Sequence, residues 1–414
     1  MTLPITESTS TAEAVAEVQR WIDAEVPASW RAAAAQSPAA LRAVRSHTDY
    51  QHWYPVFAAS GLVVPTWAPE YGGLGIGNEV AGAIDRVLRP LRLSRLNPLG
   101  LNNAAAALFS HGTEEQRLRF LPPIVRNEEK WCQLFSEPGA GSDLASLATR
   151  AVRSGDHWVI SGQKVWTTWA DQADFAILLA RTDPGAPKHK GITYFLLEMH
   201  QPGVEVRPLR QITGEAEFNE VFIDGARIPD EHRVGEINDG WHVSASTLSS
   251  ERQMVSGSGS GGTGRLGGSG AARLISLAQE TGKWADPVVR NKVMRLWAQE
   301  QIRGWTNARV RAALSAGQSP GAASSIGKVH QATLNQQIQD LMVDLLGTDA
   351  VAWPVADDPD ALPRDVRGML RSLANGTEGG TTDINKNILG ERVLGLPKEP
   401  DPWKGKPWKD IPRS

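Results

Sequence analysis

A chain of 414 residues is long enough for about two or three domains, each with its own buried core. Its 43 Lys and Arg against 46 Asp and Glu give a formal net charge of −3, which argues against a nucleic-acid partner, because phosphate binding ordinarily shows as a basic excess. The one cysteine, Cys132, excludes an internal disulfide and fits a reducing compartment. The opening Met1 to Arg20 has neither a basic start nor an apolar run, so neither a signal peptide nor a membrane span is expected and the expected location is cytoplasmic. The nine histidines show no HxxxH or HExxH spacing, so no metal site is expected.

Ser10 and Glu13 form a capping-box pattern. Val15, Val18, Ile22 and Val26 then recur at helical spacing until Pro27 stops the helix. A further helix leads through Trp53 and Phe57 to Gly61, where Pro65, Pro69, Gly72, Gly73 and Gly75 punctuate an ordered loop. An Ala-rich helix follows over Leu101 to Phe109, and Thr113 caps a short helix that Pro122 is expected to end. Residues 1–130 therefore read as an all-α domain.

From Trp131 the period changes from helical to alternating. Strands are expected at 131–136, 147–153, 157–166, 174–181, 192–199, 203–209 and 218–228, with Asp224-Gly225 as a turn, which describes a small β-barrel or sandwich over residues 131–240. The chain becomes helical again over 241–397. Asp286-Pro287 is a cap with a first-turn proline; Val289, Val293, Leu296 and Trp297 form one apolar face, and Gly317 with Pro320 closes the helix. A second long helix carries Leu334, Ile338, Leu341 and Leu345 before Gly347, and a third holds Ile384, Ile388, Leu389 and Val393 before Gly395. These imply a helical bundle, so the fold class is α+β. The tail, 398–414, is too rich in Pro and Lys to pack alone and is expected to lie extended along a partner subunit.

Two glycine-rich segments are decoys. Gly257, Gly259 and Gly262 satisfy the letters of a dinucleotide fingerprint, but no strand precedes them and no acidic residue follows at the required distance. Gly321 to Lys328 resembles a phosphate loop with one residue too many, and Val329 stands where Ser or Thr is needed.

The chemistry concentrates between Trp131 and Trp169. A strand stops at Ser136-Glu137-Pro138-Gly139-Ala140-Gly141-Ser142-Asp143, where Gly139 and Gly141 leave backbone N–H groups open to an anion and Ser142 adds a hydroxyl. A hairpin with its turn at Ser154-Gly155-Asp156 folds Gly162-Gln163-Lys164-Val165-Trp166-Thr167-Thr168 back beside Phe135 and Ser136. An indole face, hydroxyls and an anion nest on one sheet suit a flat heteroaromatic cofactor carrying a diphosphate. Cys132, with no His near it in sequence, reads as a small core residue.

These two runs resemble the flavin-binding β-domain of the acyl-CoA dehydrogenase family, and the resemblance extends over about residues 10–397. It implies an N-terminal all-α domain, a middle β-domain and a C-terminal helical bundle, with FAD as cofactor. Gln133, Phe135, Ser136, Gly141, Ser142, Trp166 and Thr168 are then expected at the flavin and its diphosphate, and Thr381 and Asp383 where relatives touch the cofactor. The implied reaction converts an acyl-CoA thioester to the trans-2-enoyl-CoA and reduced flavin, with an electron-transfer flavoprotein or similar acceptor.

The resemblance offers two positions for the proton-abstracting carboxylate. Glu251, directly before Arg252 at the start of the C-terminal helical region, matches one position, and Glu378 lies one residue before the other, where Gly379 stands instead. The backbone N–H of Gly379 is expected to polarise the thioester carbonyl; Ser142 and Arg252 complete the expected substrate contacts. One departure stands out: the Arg-x-x-Phe-Gly motif, whose Arg neutralises the FAD diphosphate in homotetrameric relatives, is missing from Leu277 to Lys292. That absence resembles an actinobacterial branch in which two related chains assemble as α2β2. A homodimer or homotetramer, a weakly active or structural subunit of a heteromer, and an oxidase or monooxygenase on the same fold remain open.

Overall fold

A computed structural model describes residues 2–255, 270–316, 318, 324–352 and 362–412. Gly257, Gly259 and Gly262 of the fingerprint-like segment lie outside the described residues, as do Gly317, Pro320 and Gly321.

Seven α-helices come first: α1 (Thr11–Glu25), α2 (Ala28–Gln36), α3 (Pro38–Val44), α4 (His47–Ala59), α5 (Asn78–Leu88), α6 (Ala105–His111) and α7 (Glu114–Arg126). The Ser10–Glu13 capping box forms as expected, and Val18, Trp21 and Ile22 bury the apolar face of α1. A π-helical turn over Leu99–Ala104 leads into α6. Pro122 does not end α7, which runs on to Arg126. The two prolines forfeit only the N–H bonds to the Leu118 and Arg119 carbonyls, whereas Phe120, Leu121, Ile124 and Val125 all pack into the core. Asn127 stops the helix in a left-handed turn, φ 57°, and returns its N–H to the Ile124 carbonyl.

The middle of the chain forms one eight-stranded sheet: β1 (Trp131–Leu134), β2 (Arg150–Ser154), β3 (His157–Thr168), β4 (Phe175–Arg181), β5 (Ile192–Glu198), β6 (Val204–Leu209), β7 (Phe218–Pro229) and β8 (Arg233–Val234). The order is β6-β7-β3-β2-β4-β5-β8, with β1 parallel to β4. β8 is an addition to the expected strands. Asp224-Gly225 is a bulge inside β7, not a turn: Ile160 pairs with Ala226 but Ser161 with Asp224, and Gly225 absorbs the extra residue at φ 74°.

Both faces of the central strands are buried, and the alternation sorts them. Trp131, Phe175, Ile177, Leu179 and Tyr194 join the core of the helical region, whereas Cys132, Leu134, Ala176, Leu178 and Phe195 fill the opposite face. Cys132 is thus a core residue whose thiol burial pushes upward, away from thiolate.

The last third holds α8 (Gly240–Val255), α9 (Ala271–Glu280), α10 (Pro287–Ser315), α11 (Ser324–Leu346), α12 (Arg364–Ser372) and α13 (Thr382–Arg392). Leu274, Val293, Leu334, Ile338 and Leu345 make a separate core. Two expectations shift here. Trp297 lies at the surface of α10, and Ile384, Val393, Leu394 and Leu396 are exposed around α13, leaving Asn385 as its buried residue. The tail does not reach away from the chain: Trp408 is buried against the middle sheet, with its backbone N–H on the Ala186 carbonyl and its indole N–H on the Ser146 carbonyl.

Candidate active site

The region of the sheet where the chain leaving β1 meets β3 is built around a buried lysine. Lys164 points inward from β3, and its ammonium donates to three acceptors: the Phe135 carbonyl at 3.0 Å, the Leu179 carbonyl at 2.9 Å and the Glu137 carboxylate at 2.8 Å. Glu137 also accepts the backbone N–H groups of Ala148 and Thr149. Burial alone would raise the Glu137 carboxyl, but Lys164 and these donors outweigh it and hold it below the ordinary carboxylate range. Sequence reasoning missed this pair. Its signal was a lysine at an inward position of an alternating strand, which survives there only with a full set of acceptors.

Because Lys164 fixes residues 135–137, the two expected flavin segments meet. Val165 donates its N–H to the Ser136 carbonyl at 3.0 Å. Glu137 and Ala140 close a tight turn on each other, and the exposed Gly141 and Ser142 follow. Neither Gly139 nor Gly141 adopts positive φ; a Cβ at either position would meet nothing within 4 Å. Their contribution is therefore open space before the backbone, not backbone contortion. The β3–β7 register breaks between Lys164 and Thr167, and Trp166 in that break has φ 61°. Its indole is 61% exposed, edge-on to Phe218 at 6.0 Å, beside the half-buried Thr168. A bulky residue in the left-handed region is a strained conformation that cores do not need.

A second wall comes from the C-terminal helices. Gly379 and Gly380, φ 62° and 84°, make the turn before α13, and Thr381 caps that helix by accepting the Ile384 N–H at 3.1 Å. Asp383 is exposed, 3.5 Å from Lys386. The Glu378 carboxylate is engaged by the Arg371 guanidinium at 2.8 Å and the Asn375 amide at 2.7 Å. Arg371 also lies 3.9 Å from Glu217, whose carbonyl accepts the Trp169 N–H. One arginine thus ties the glycine turn to the end of β3.

The third wall is α8. Its backbone carries positions 251 and 252, but the side chains of Glu251 and Arg252 are outside the described residues. One turn earlier, the buried Thr247 meets the Tyr194 hydroxyl at 3.1 Å and donates to the Asn103 carbonyl at 3.2 Å. The Asn103 amide in turn donates to Gln133 Oε1 on β1 at 2.8 Å. Asn103 Oδ1 is buried with no partner among the described residues. Position 251, four residues after Thr247, falls on the same helix stripe.

Three family models match successive stretches of the chain between residues 11 and 394. The acyl-CoA dehydrogenase N-terminal domain matches residues 11–128, the middle domain 132–225 and the C-terminal domain 238–394. The chain belongs to the acyl-CoA dehydrogenase family. It is thereby a member of an oxidoreductase family of flavoproteins.

Among acyl-CoA dehydrogenases it is 36% identical to IpdE1 of Mycobacterium tuberculosis over 365 residues, covering 86% of this chain and 91% of that protein. It is 39% identical to FadE34 of the same organism over 342 residues, covering 82% of this chain. The match spans 45% of FadE34, less than half of that protein's length. The solved structure titled Tcur3481-Tcur3483 steroid ACAD superposes with a TM-score of 0.71 at 26% identity, covering 94% of this chain and 98% of that one. The ChsE4-ChsE5 complex from Mycobacterium tuberculosis gives 0.68 at 25% identity, covering 96% and 100%. No described helix is long and apolar enough to cross a membrane.

Proposed function

We propose that this chain carries out FAD-dependent α,β-dehydrogenation of an acyl-CoA thioester to the trans-2-enoyl-CoA. The observation that carries this reading is Trp166, strained and 61% exposed beside Thr168 and Ser136, where a flat ring would cover its indole. The site also fits the cofactor in two other respects: the open approach at Gly139 and Gly141, and the buried, unpartnered Asn103 Oδ1 on the amide that holds Gln133. Ser136, Gln133, Phe135, Trp166 and Thr168 would hold the isoalloxazine end, Gly141 and Ser142 the diphosphate, and Thr381 and Asp383 the more distant contacts. When bound, the flavin supplies the two-electron acceptor for the β-hydride.

The chain's own residues do the rest. Glu251, on the α8 stripe beyond Thr247, takes the α-proton; Glu378 is the less suited alternative because Arg371 and Asn375 hold its carboxylate. The Gly379 N–H, presented by a left-handed turn, donates to the thioester carbonyl and steadies the developing enolate. Arg252 and Ser142 orient the coenzyme A portion. An electron-transfer flavoprotein or similar acceptor reoxidises the site. Anaerobic addition of an acyl-CoA to the FAD-loaded protein tests this: bleaching of the flavin supports it, and an unchanged spectrum across linear and ring-bearing thioesters refutes it.

The exposed Val393, Leu394 and Leu396 at the C-terminal end of α13 favour a second reading, in which the chain works within an oligomer, either of its own copies or an α2β2 assembly with a related chain that contributes the diphosphate-neutralising Arg. The steroid title of one structural relative directs the substrate panel toward ring-bearing thioesters.

A further inference from the structure

The carbonyls of Ala145, Ser146 and Leu147, three consecutive groups just past the Ser142 loop, are all captured by two side chains. Arg181, fully buried at the end of β4, donates to the Ala145 carbonyl at 2.6 Å and to the Leu147 carbonyl at 3.1 Å. Trp408, from the tail, donates its indole N–H to the Ser146 carbonyl at 3.2 Å. The Arg181 guanidinium lies over the Trp408 ring, 4.6 Å from its centroid.

The same pair locks the loop between β4 and β5. Arg181 donates to the Lys188 carbonyl at 2.7 Å, and the tail pairs along that loop through Trp408 N–H to the Ala186 carbonyl and Lys409 N–H to the Pro184 carbonyl. Lys188 then reaches Asp143, adjacent to Ser142, with its ammonium 2.8 Å from the carboxylate. The Asp143 carboxyl is raised by burial but lowered more by Lys188 and Ser146, so it stays ionised.

We propose that Trp408 and Arg181 are positioning residues: the tail is an intramolecular clamp that fixes the Gly141–Asp143 loop and thereby sets the affinity for the phosphate-bearing end of the substrate. This rests on the reading that Ser142, which the loop also presents to the FAD diphosphate, orients the coenzyme A portion of an acyl-CoA, so the proteins compared are all FAD-loaded. The clamp acts on a binding loop, not on the proton or hydride path, so its loss raises KM and leaves kcat nearly unchanged. Removing the ring uncovers Arg181 to water and frees the Ser146 carbonyl, loosening 143–147 while the sheet beneath it stays folded.

The test compares the full-length wild type with Trp408→Ala and Trp408→Phe by amide hydrogen exchange, by calorimetric titration with coenzyme A and by steady-state kinetics. Trp408→Ala is expected to speed exchange over 143–147 and weaken coenzyme A binding, each by about tenfold, with kcat changed less than about twofold. Trp408→Phe keeps a ring over Arg181 and should recover most of the affinity. Slow exchange of the β4 amides confirms an intact fold; should the Ala variant fail that control, Trp408→Leu, which removes the ring and its N–H but keeps apolar bulk, takes its place with the same expected changes. Unchanged exchange at 143–147 in variants that bind coenzyme A like the wild type overturns the clamp and spares the functional reading. Faster exchange at 143–147 with no coenzyme A binding by the wild type overturns the functional reading and spares the clamp.

Discussion

The Lys164 ammonium sits 2.8 Å from the Glu137 carboxylate with neither side chain more than 8% exposed. Breaking such a pair from one side leaves a buried charge uncompensated, at a cost of about 3–5 kcal/mol. Lys164→Met is therefore expected to destabilise the chain by that amount in urea unfolding, and the Lys164→Met/Glu137→Gln double variant to recover much of it. An equal loss in both variants would show that lysine packing, not charge pairing, is what matters.

The same pair gives a pH dependence with a defined sign. The folded Glu137 carboxyl is held below its ordinary value of 4.5, so its contribution is fully present above that value and is lost as pH falls through the lower folded value. Urea midpoints measured from neutral pH into the acid range should drop more steeply below about 4.5 in the wild type than in Glu137→Gln.

Trp166 separates stability from function. Relieving its φ of 61° with Trp166→Gly removes a strain of roughly 1–2 kcal/mol while deleting the exposed indole. The cofactor-free variant should unfold no more easily than the wild type, yet bind FAD at least about tenfold more weakly. Destabilisation of the cofactor-free protein with unchanged FAD affinity would assign Trp166 to packing.

The exposed residues that follow α13 make a prediction about assembly. Leu394 and Leu396, just past the end of α13, are 71% and 57% exposed, and Val393 beside them is also exposed. Leu394→Asp with Leu396→Asp is expected to shift the sedimenting species from an oligomer toward the monomer. A wild type and variant of equal mass would remove these residues from the interface.

What the sequence showed and hid follows from the range of the forces involved. Local signals held: the Ser10 capping box, the Gly155 turn and the alternation that places Cys132 in the core depend on neighbours a few residues away. The two-residue hairpin that sets the β2–β3 register was legible, but the contact between the Trp166 and Ser136 segments is made by Lys164 and by the Val165 N–H on the Ser136 carbonyl. Long-range partnerships were not legible. Nothing near Lys164 announces Glu137, nothing near Trp408 announces Arg181, and nothing near Arg371 announces the Glu217 beside it. Pro122 misled because a proline costs a helix bounded local bonds, which the four apolar side chains around it outweigh. Asp224-Gly225 misled because a bulge and a turn need the same left-handed glycine.

The most direct test of the central claim is rapid-mixing flavin reduction by an acyl-CoA under anaerobic conditions, comparing wild type, Glu251→Gln and Glu378→Gln, all FAD-loaded. With Glu251 as the base, Glu251→Gln should slow reduction by about 10²–10⁴-fold, while Glu378→Gln, which disturbs only the Arg371 and Asn375 contacts, should lose less than about tenfold. Wild-type reduction rates persisting in Glu251→Gln would contradict the assignment of the proton-abstracting carboxylate to α8.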